Sequence, residues 1–232
     1  MRALILSDVH YRDPSGVAER AVVDLVDAAR ADELWLLGDV FDVWWGFERV
    51  VPAAAVPLCA ALWRARDRGV QVRVLGGNRD FSLGPYFWRD LGATPLPASA
   101  FRVDGRRVRV AHGDEADRSL GYRALRAGVR SAPFAAGLRL LGPDRSMAVL
   151  ERLGAGSRAH GGASNATLVA AQRRWALAEL RAGAELVILG HSHHRERLEL
   201  PSGEIVWLGD WPHWRSGAWW EDGVLRPFAG AA

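Results

Sequence analysis

Ala3-Leu4-Ile5-Leu6-Ser7-Asp8-Val9-His10 opens the chain with an apolar run that ends on two side chains able to grip a metal ion. The pattern recurs four times: Leu34 to Leu37 before Asp39, Val72 to Leu75 before Asn78, Val108 to Ala111 before His112, and Leu186 to Leu189 before His191 and His193. Short apolar runs of this kind read as buried strands, and open α/β sheets bind ligands in the crevice beyond the carboxyl ends of their strands. Five strand ends therefore aim seven donors at one place: Asp8, His10, Asp39, Asn78, His112, His191 and His193. Asp8 and His10 are two positions apart, as are His191 and His193, and in extended chain such pairs face the same way. Gly38 precedes Asp39 and Gly76-Gly77 precedes Asn78, where a tight turn and a close backbone approach are needed.

A carboxylate such as Asp39 has two oxygens and can bridge two ions, whereas an imidazole binds one through a single nitrogen. Two divalent cations bring four positive charges, and Asp8 and Asp39 remove two, so the centre attracts an anion such as phosphate. Paired cations roughly 3.5 to 4 Å apart also suit in-line attack of an activated water at phosphorus. Hydrolysis of a phosphate ester or anhydride is the expected reaction. Nitrogen and oxygen donors without thiolate admit manganese, iron, cobalt or zinc.

The series Asp8-Val9-His10, Gly38-Asp39, Gly77-Asn78-Arg79-Asp80, His112-Gly113-Asp114 and Gly190-His191-Ser192-His193 resembles the calcineurin-like metallophosphoesterases, over residues 1 to about 215. The resemblance implies one ion on Asp8, His10, Asp39 and His193, another on Asp39, Asn78, His112 and His191, and manganese as the metal. Many members place a histidine after the asparagine, and this chain has Arg79. Gly77-Asn78-Arg79-Asp80-Phe81, Gly38-Asp39-Val40-Phe41-Asp42 with Trp44, and Gly209-Asp210-Trp211 are similar to the UDP-2,3-diacylglucosamine hydrolases of lipid A synthesis. That likeness implies cleavage of a pyrophosphate to UMP and 2,3-diacylglucosamine 1-phosphate. Arg79 suits such a role, because a guanidinium holds phosphate oxygens in a bidentate fork and does not donate protons to a leaving group. Its structural alternative is an ion pair with Asp80 or Asp42.

At 232 residues and 49% apolar composition, one large domain with an insertion is expected. Cys59 is the single cysteine, and no charged-then-apolar leader opens the chain, so a cytoplasmic location is expected. All 30 basic residues are arginine. Ten of them lie between Arg118 and Arg174 against only Asp144 and Glu151, a cationic stretch suited to an anionic lipid surface or to substrate phosphates.

From His112 to His191 the chain travels 79 positions, where a crossover needs about 30. The expected organisation is a core of residues 1–116 and 183–232 with a helical cap over 117–182. Tyr122, Leu125, Val129 and Phe134, Leu138, Leu141 recur at helical spacing, Met147 to Leu153 reads as another helix, Gly154 to Gly162 as a loop, and Asn165 to Ala182 as a returning helix with Trp175 and Leu180 inward. Apolar, cationic helices beside a phosphate site suit an acylated substrate. The family also has such an insertion, which implies Tyr122, Ser157 and Arg158 as substrate contacts beside Asn78, Arg79 and His193. The family's lysine in the cap has no counterpart, since the chain has no lysine.

Asp114 reads as an orienter of a ligand imidazole or as a turn residue. His194 reads as surface, and His160 and His213 need no metal role. Trp207, Trp211, Trp214, Trp219 and Trp220 read as core of antiparallel hairpins between Gly203 and Phe228, so nucleic acid is not an expected partner. Trp44 and Trp45 are expected to border substrate. The resemblance implies a four-layer α/β/β/α sandwich, its second sheet completed by the C-terminal hairpins. Catalysis is expected to fall to Asp39, Asn78, Arg79 and His112, on a lipid-linked nucleotide at the cytoplasmic face of the inner membrane, with peripheral attachment. The alternatives are a phosphoesterase acting on a non-lipid nucleotide or diester, and a non-catalytic binding scaffold of the same shape.

Overall fold

The apolar runs become strands of two sheets in the computed structural model, which describes residues 1–159 and 161–230 and, among them, all side chains but those of 155–165. In chain order the first half comprises β1 (Arg2–Leu6), α1 (Val17–Ala28), β2 (Glu33–Leu37), β3 (Trp44–Trp45), α2 (Val56–Asp67), β4 (Gln71–Leu75), β5 (Asp80–Ser82), β6 (Thr94–Pro95), β7 (Phe101–Val103) and β8 (Arg106–Ala111). Four helices follow: α3 (Leu120–Val129), α4 (Ala132–Leu141), α5 (Pro143–Ala159) and α6 (Gly161–Arg181). The chain closes with β9 (Leu186–Leu189), β10 (Arg195–Leu200), β11 (Gly203–Leu208), α7 (Trp211–Trp214), β12 (Ser216–Glu221) and β13 (Val224–Ala229).

The first sheet runs β13-β12-β1-β2-β4-β6 and the second β10-β11-β9-β8-β7. Both are mixed: β1, β2, β4 and β6 are mutually parallel, as are β8, β9 and β11, with antiparallel strands at the edges. Strand alternation divides each apolar run between two cores. Leu4, Leu6, Leu34 and Leu36 pack with Val22 and Val26 of α1 and Leu58 and Leu62 of α2. Ala3, Ile5, Trp35 and Leu37 face Val108, Val110, Leu186 and Ile188 of the other sheet. Val187 and Leu189 turn outward onto Ala176 and Leu180 of α6. Truncating a fully buried leucine such as Leu4 to Ala would cost about 2–5 kcal/mol.

The C-terminal hairpins do not both complete the second sheet. β10 and β11 extend it, but β12 pairs antiparallel with β1 and brings β13 into the first sheet. The switch happens at α7, where Trp211 N donates to Asp8 O at 3.0 Å and ties the crossing to the end of β1. Nor does α5 stop at Gly154, since the helix runs on to Ala159. The 117–182 segment also divides in two. α4 and α5 form a small core in which Leu138 and Leu150 pack with Trp45, Phe134 and Met147, whereas the second half of α6 covers β9 and β11. His160 lies outside the described residues. No helix among the described residues is long and apolar enough to cross a membrane.

Candidate metal centre

All seven donors sit just beyond the ends of β1, β2, β4, β8 and β9. Asp8, His10 and His193 present atoms within 4.8 Å of one another, and so do Asp39, His112 and His191. Asp39 stands between the groups: its Oδ2 is 4.0 Å from His10 Nε2, and its Oδ1 is 3.6 Å from His112 Nε2. Asn78 Oδ1 joins the second group at 3.1 Å from His112 Nε2. Two His/Asp clusters with one carboxylate between them are consistent with a dinuclear metal site.

The convergence has a different backbone origin from extended-chain alternation. Asp8, His10, Asp39, His191 and His193 all have positive φ, between 48° and 68°. Left-handed backbone at a non-glycine residue costs about 1–3 kcal/mol and persists where the surroundings enforce it. Here His10 N donates to Asp39 O, Gly190 N to His112 O, and His191 N to Asp8 Oδ2 at 2.8 Å, so each turn is held by another. Gly77 is needed as glycine, because a Cβ there would lie 2.1 Å from Asp39 Oδ1.

Several features of these residues fit resident cations. Asp8 Oδ1 is buried without a hydrogen-bond partner, although Ser7 Oγ donates to Oδ2 of the same carboxylate. His193 Nε2 lies 3.6 Å from that oxygen and His10 Nε2 3.8 Å, separations too long for a direct hydrogen bond and suited to a shared ion. Burial holds His10 well below its ordinary pKa and His191 down at about 4, so both imidazoles are neutral, as ligands must be. Burial also pushes Asp39 up to about 7 against the pull of His112. For His112 burial opposes the charge, yet Asp39, Asp8 and Asp114 together push it up to about 9. Cations would displace those protons and give Asp8 Oδ1 a partner.

Arg79 is 8% exposed. Its backbone N donates to Asp39 Oδ1 at 2.8 Å, its Nε is 3.8 Å from Asp39 Oδ2, and its Nη1 reaches Gly154 O at 3.3 Å and Asp42 Oδ1 at 3.4 Å. Asp80 instead accepts from Val40 N and Gly77 N, which shapes the turn. Asn78, Arg79 and Phe81 floor a cavity roofed by Leu125 and Val129 of α3 and Leu153 of α5. Tyr122 also lines it, and its hydroxyl donates to Asp114 Oδ2 at 2.7 Å.

Asp114 opens a short 3-10 turn over Asp114–Ala116, as one of its two readings had it, and does not hold the His112 ring. His112 Nδ1 is bonded to Leu37 O at 2.9 Å, while Asp114 holds Tyr122 and lies 3.2 Å from Arg126 Nε, fastening α3 to the core. Trp44 and Trp45 do not border the cavity: Trp44 stacks on Phe41 in the core and Trp45 lies under α4. Trp207, Trp211 and Trp220 are buried, whereas Trp214 is exposed. His194 pairs with Glu196 near the surface. The side chains of Ser157 and Arg158 lie outside the described residues. Sequence reading passed over Ser7, over Asp210, whose Oδ2 lies 3.6 Å from His193 Nδ1 and bonds His213, and over Gln172. The first adjoins a donor and the second stands in a quoted motif, but Gln172 carries no local signal.

No family model matches the chain. An archaeal phosphodiesterase of known structure superposes with a TM-score of 0.50 at 12% identity over 99% of both chains, which places the α/β fold. This fold, with paired His/Asp clusters at its strand ends, defines a calcineurin-like metallophosphoesterase. The UDP-2,3-diacylglucosamine hydrolase of Salmonella arizonae is 32% identical over 226 residues, 92% of each chain, and that of Pseudomonas putida KT2440 is 29% identical over 217 residues, 90% of each. The chain belongs to the family of the UDP-2,3-diacylglucosamine hydrolases.

Proposed function

We propose that this protein hydrolyses the pyrophosphate of UDP-2,3-diacylglucosamine to UMP and 2,3-diacylglucosamine 1-phosphate, a step of lipid A synthesis. The observation that carries this reading is the cavity in which Asn78 and Arg79 share walls with Phe81, Leu125, Val129 and Leu153. A phosphate-binding floor and an apolar roof match an acylated, phosphorylated substrate. Three separate interlayer cores support a four-layer sandwich body, with α3 to α5 and the start of α6 as its cap.

Asp8, His10, Asp39 and His193 would hold one divalent cation and Asp39, Asn78, His112 and His191 the other, with manganese favoured by family. When bound, the pair supplies Lewis-acid charge and lowers the pKa of an attacking water. Arg79 contributes a permanent charge in a planar fork that grips the phosphate oxygens and stabilises negative charge as it develops. Asn78 and His193 face the same phosphate, and Tyr122 closes the cavity beside them. Leu120 at 81% exposure and Leu140 at 90% project beside the exposed Arg118, Arg123 and Arg139, which supports peripheral attachment to the cytoplasmic face of the inner membrane.

The test compares UDP-2,3-diacylglucosamine with its deacylated counterpart and a soluble phosphodiester, using manganese-loaded protein. Cleavage of the acylated substrate alone is the expected result. Equal turnover of the other two would sink the lipid reading in favour of a soluble nucleotide or diester, and no turnover of any would favour a binding scaffold.

A further inference from the structure

Gln172 is a polar side chain on α6 with 0% exposure, and it meets three partners distant in sequence. Its Nε2 donates to Gly113 O at 3.2 Å and to Gly190 O at 3.0 Å. Its Oε1 accepts from Trp207 Nε1 at 3.0 Å. Indole nitrogen is a donor only, so it fixes which end of the amide is oxygen and leaves both amide hydrogens for the two carbonyls. Those carbonyls belong to the residue after His112 and the residue before His191. The two turns also bond directly, Gly190 N to His112 O at 2.9 Å, and the rings they present lie 4.9 Å apart. Contact is close enough that a Cβ on Gly113 would fall 2.4 Å from Gln172 Nε2.

We propose that Gln172 is a positioning residue for one half of the metal centre: it braces the turns of His112 and His191 against α6 and sets the spacing of the ligands to one of the two cations. The inference rests on the dinuclear reading. The other ligand group, Asp8, His10 and His193, has no hydrogen bond to Gln172, so the brace acts on the two halves unequally. Gln172→Glu preserves the shape and still accepts from Trp207, but a carboxylate has no hydrogens for the two carbonyls, and repulsion would push the turns apart.

The test titrates Mn2+ alone into metal-free wild-type protein and Gln172→Glu by calorimetry, with electron paramagnetic resonance on the loaded samples. Wild type is expected to take two ions and show a spin-coupled pair. The variant is expected to keep one ion within about threefold and to bind the other at least about tenfold more weakly, the usual scale for an outer partner of a ligand, with an uncoupled Mn2+ signal. Retention of both ions at wild-type affinity overturns the proposal, and so does equal weakening of both in folded protein. If Gln172→Glu does not fold, Trp207→Phe, which frees the amide to rotate, is read by the same criterion with a smaller unequal loss expected. Wild-type protein binding fewer than two ions would fail the dinuclear reading itself, and the proposal with it.

Discussion

The donor crevice and the helices above it are held in opposite ways. In the crevice, Asp8, His10 and Asp39 are all buried, their backbones bent against steric preference and tied by hydrogen bonds to neighbouring strand ends. Above it, α4 and α5 form a small core in which Trp45, Leu138 and Leu150 are the buried members among the described residues, and Leu120, Leu140 and Leu141 face outward. A few polar links cross between the regions: Tyr122 and Arg126 to Asp114, Arg130 to Gly77 O, and Arg79 to Gly154 O. Precision belongs to the packed sheets, and adaptability to the helices. A metal centre needs donors fixed within tenths of an ångström, whereas flexible acyl chains need apolar surface that yields.

The hardest blow to that contrast is at Asp39. Asp39→Asn removes the charge between the two ligand groups, and metal affinity is expected to fall beyond the roughly 100-fold typical of losing an outer partner, measured by elemental analysis after gel filtration. Retention of both metals would mean that Asp39 does not bridge. Arg79→Ala comes next, with turnover reduced about 100- to 1,000-fold, the scale of losing one donor to the transition state. Metal content should stay at the wild-type level, because the guanidinium is not a ligand.

Acidity separates the regions more gently. Asp39 ionises at about 7 in the folded, metal-free protein against an ordinary 3.8. A raised folded value stabilises the protonated protein below the ordinary pKa, and that stability is lost as pH rises through the folded value. Metal-free protein should therefore lose stability between pH 4 and 7 on this group's account, while metal takes the place of the proton. The gap in melting temperature between manganese-loaded and metal-free protein is expected to widen across that interval; a gap independent of pH would contradict the assignment.

In the cap, Tyr122→Phe deletes the bond to Asp114, at a cost of about 1 kcal/mol by thermal or urea unfolding. It should raise KM for the acylated substrate without changing metal content. The smallest effect is expected at Leu140→Glu, where stability should move by no more than about 0.5 kcal/mol. Binding to vesicles of anionic phospholipid should nonetheless weaken, and unchanged vesicle binding would remove Leu140 from the membrane-facing surface.

By itself, the sequence determined where five strands stop and which donors follow them. Strands buried on both faces read as unbroken apolar runs, and a donor after such a run has one place to go in a parallel sheet. Only the tertiary structure decided how the donors turn toward one another, because left-handed φ at Asp8, His10 and His191 is enforced by contacts with other strand ends. Folding also decided that β12 joins the first sheet, that Trp45 supports α4 instead of touching the cavity, and that Asp114 fastens α3. Gln172 marks the limit most sharply. On a helix rich in small and polar residues it has the look of a solvated side chain, and its partners Gly113, Gly190 and Trp207 reach it only when three strands of the second sheet and a helix have packed. Periodicity records which faces avoid water; a buried amide's meaning lies in groups far along the chain, and no local pattern encodes them.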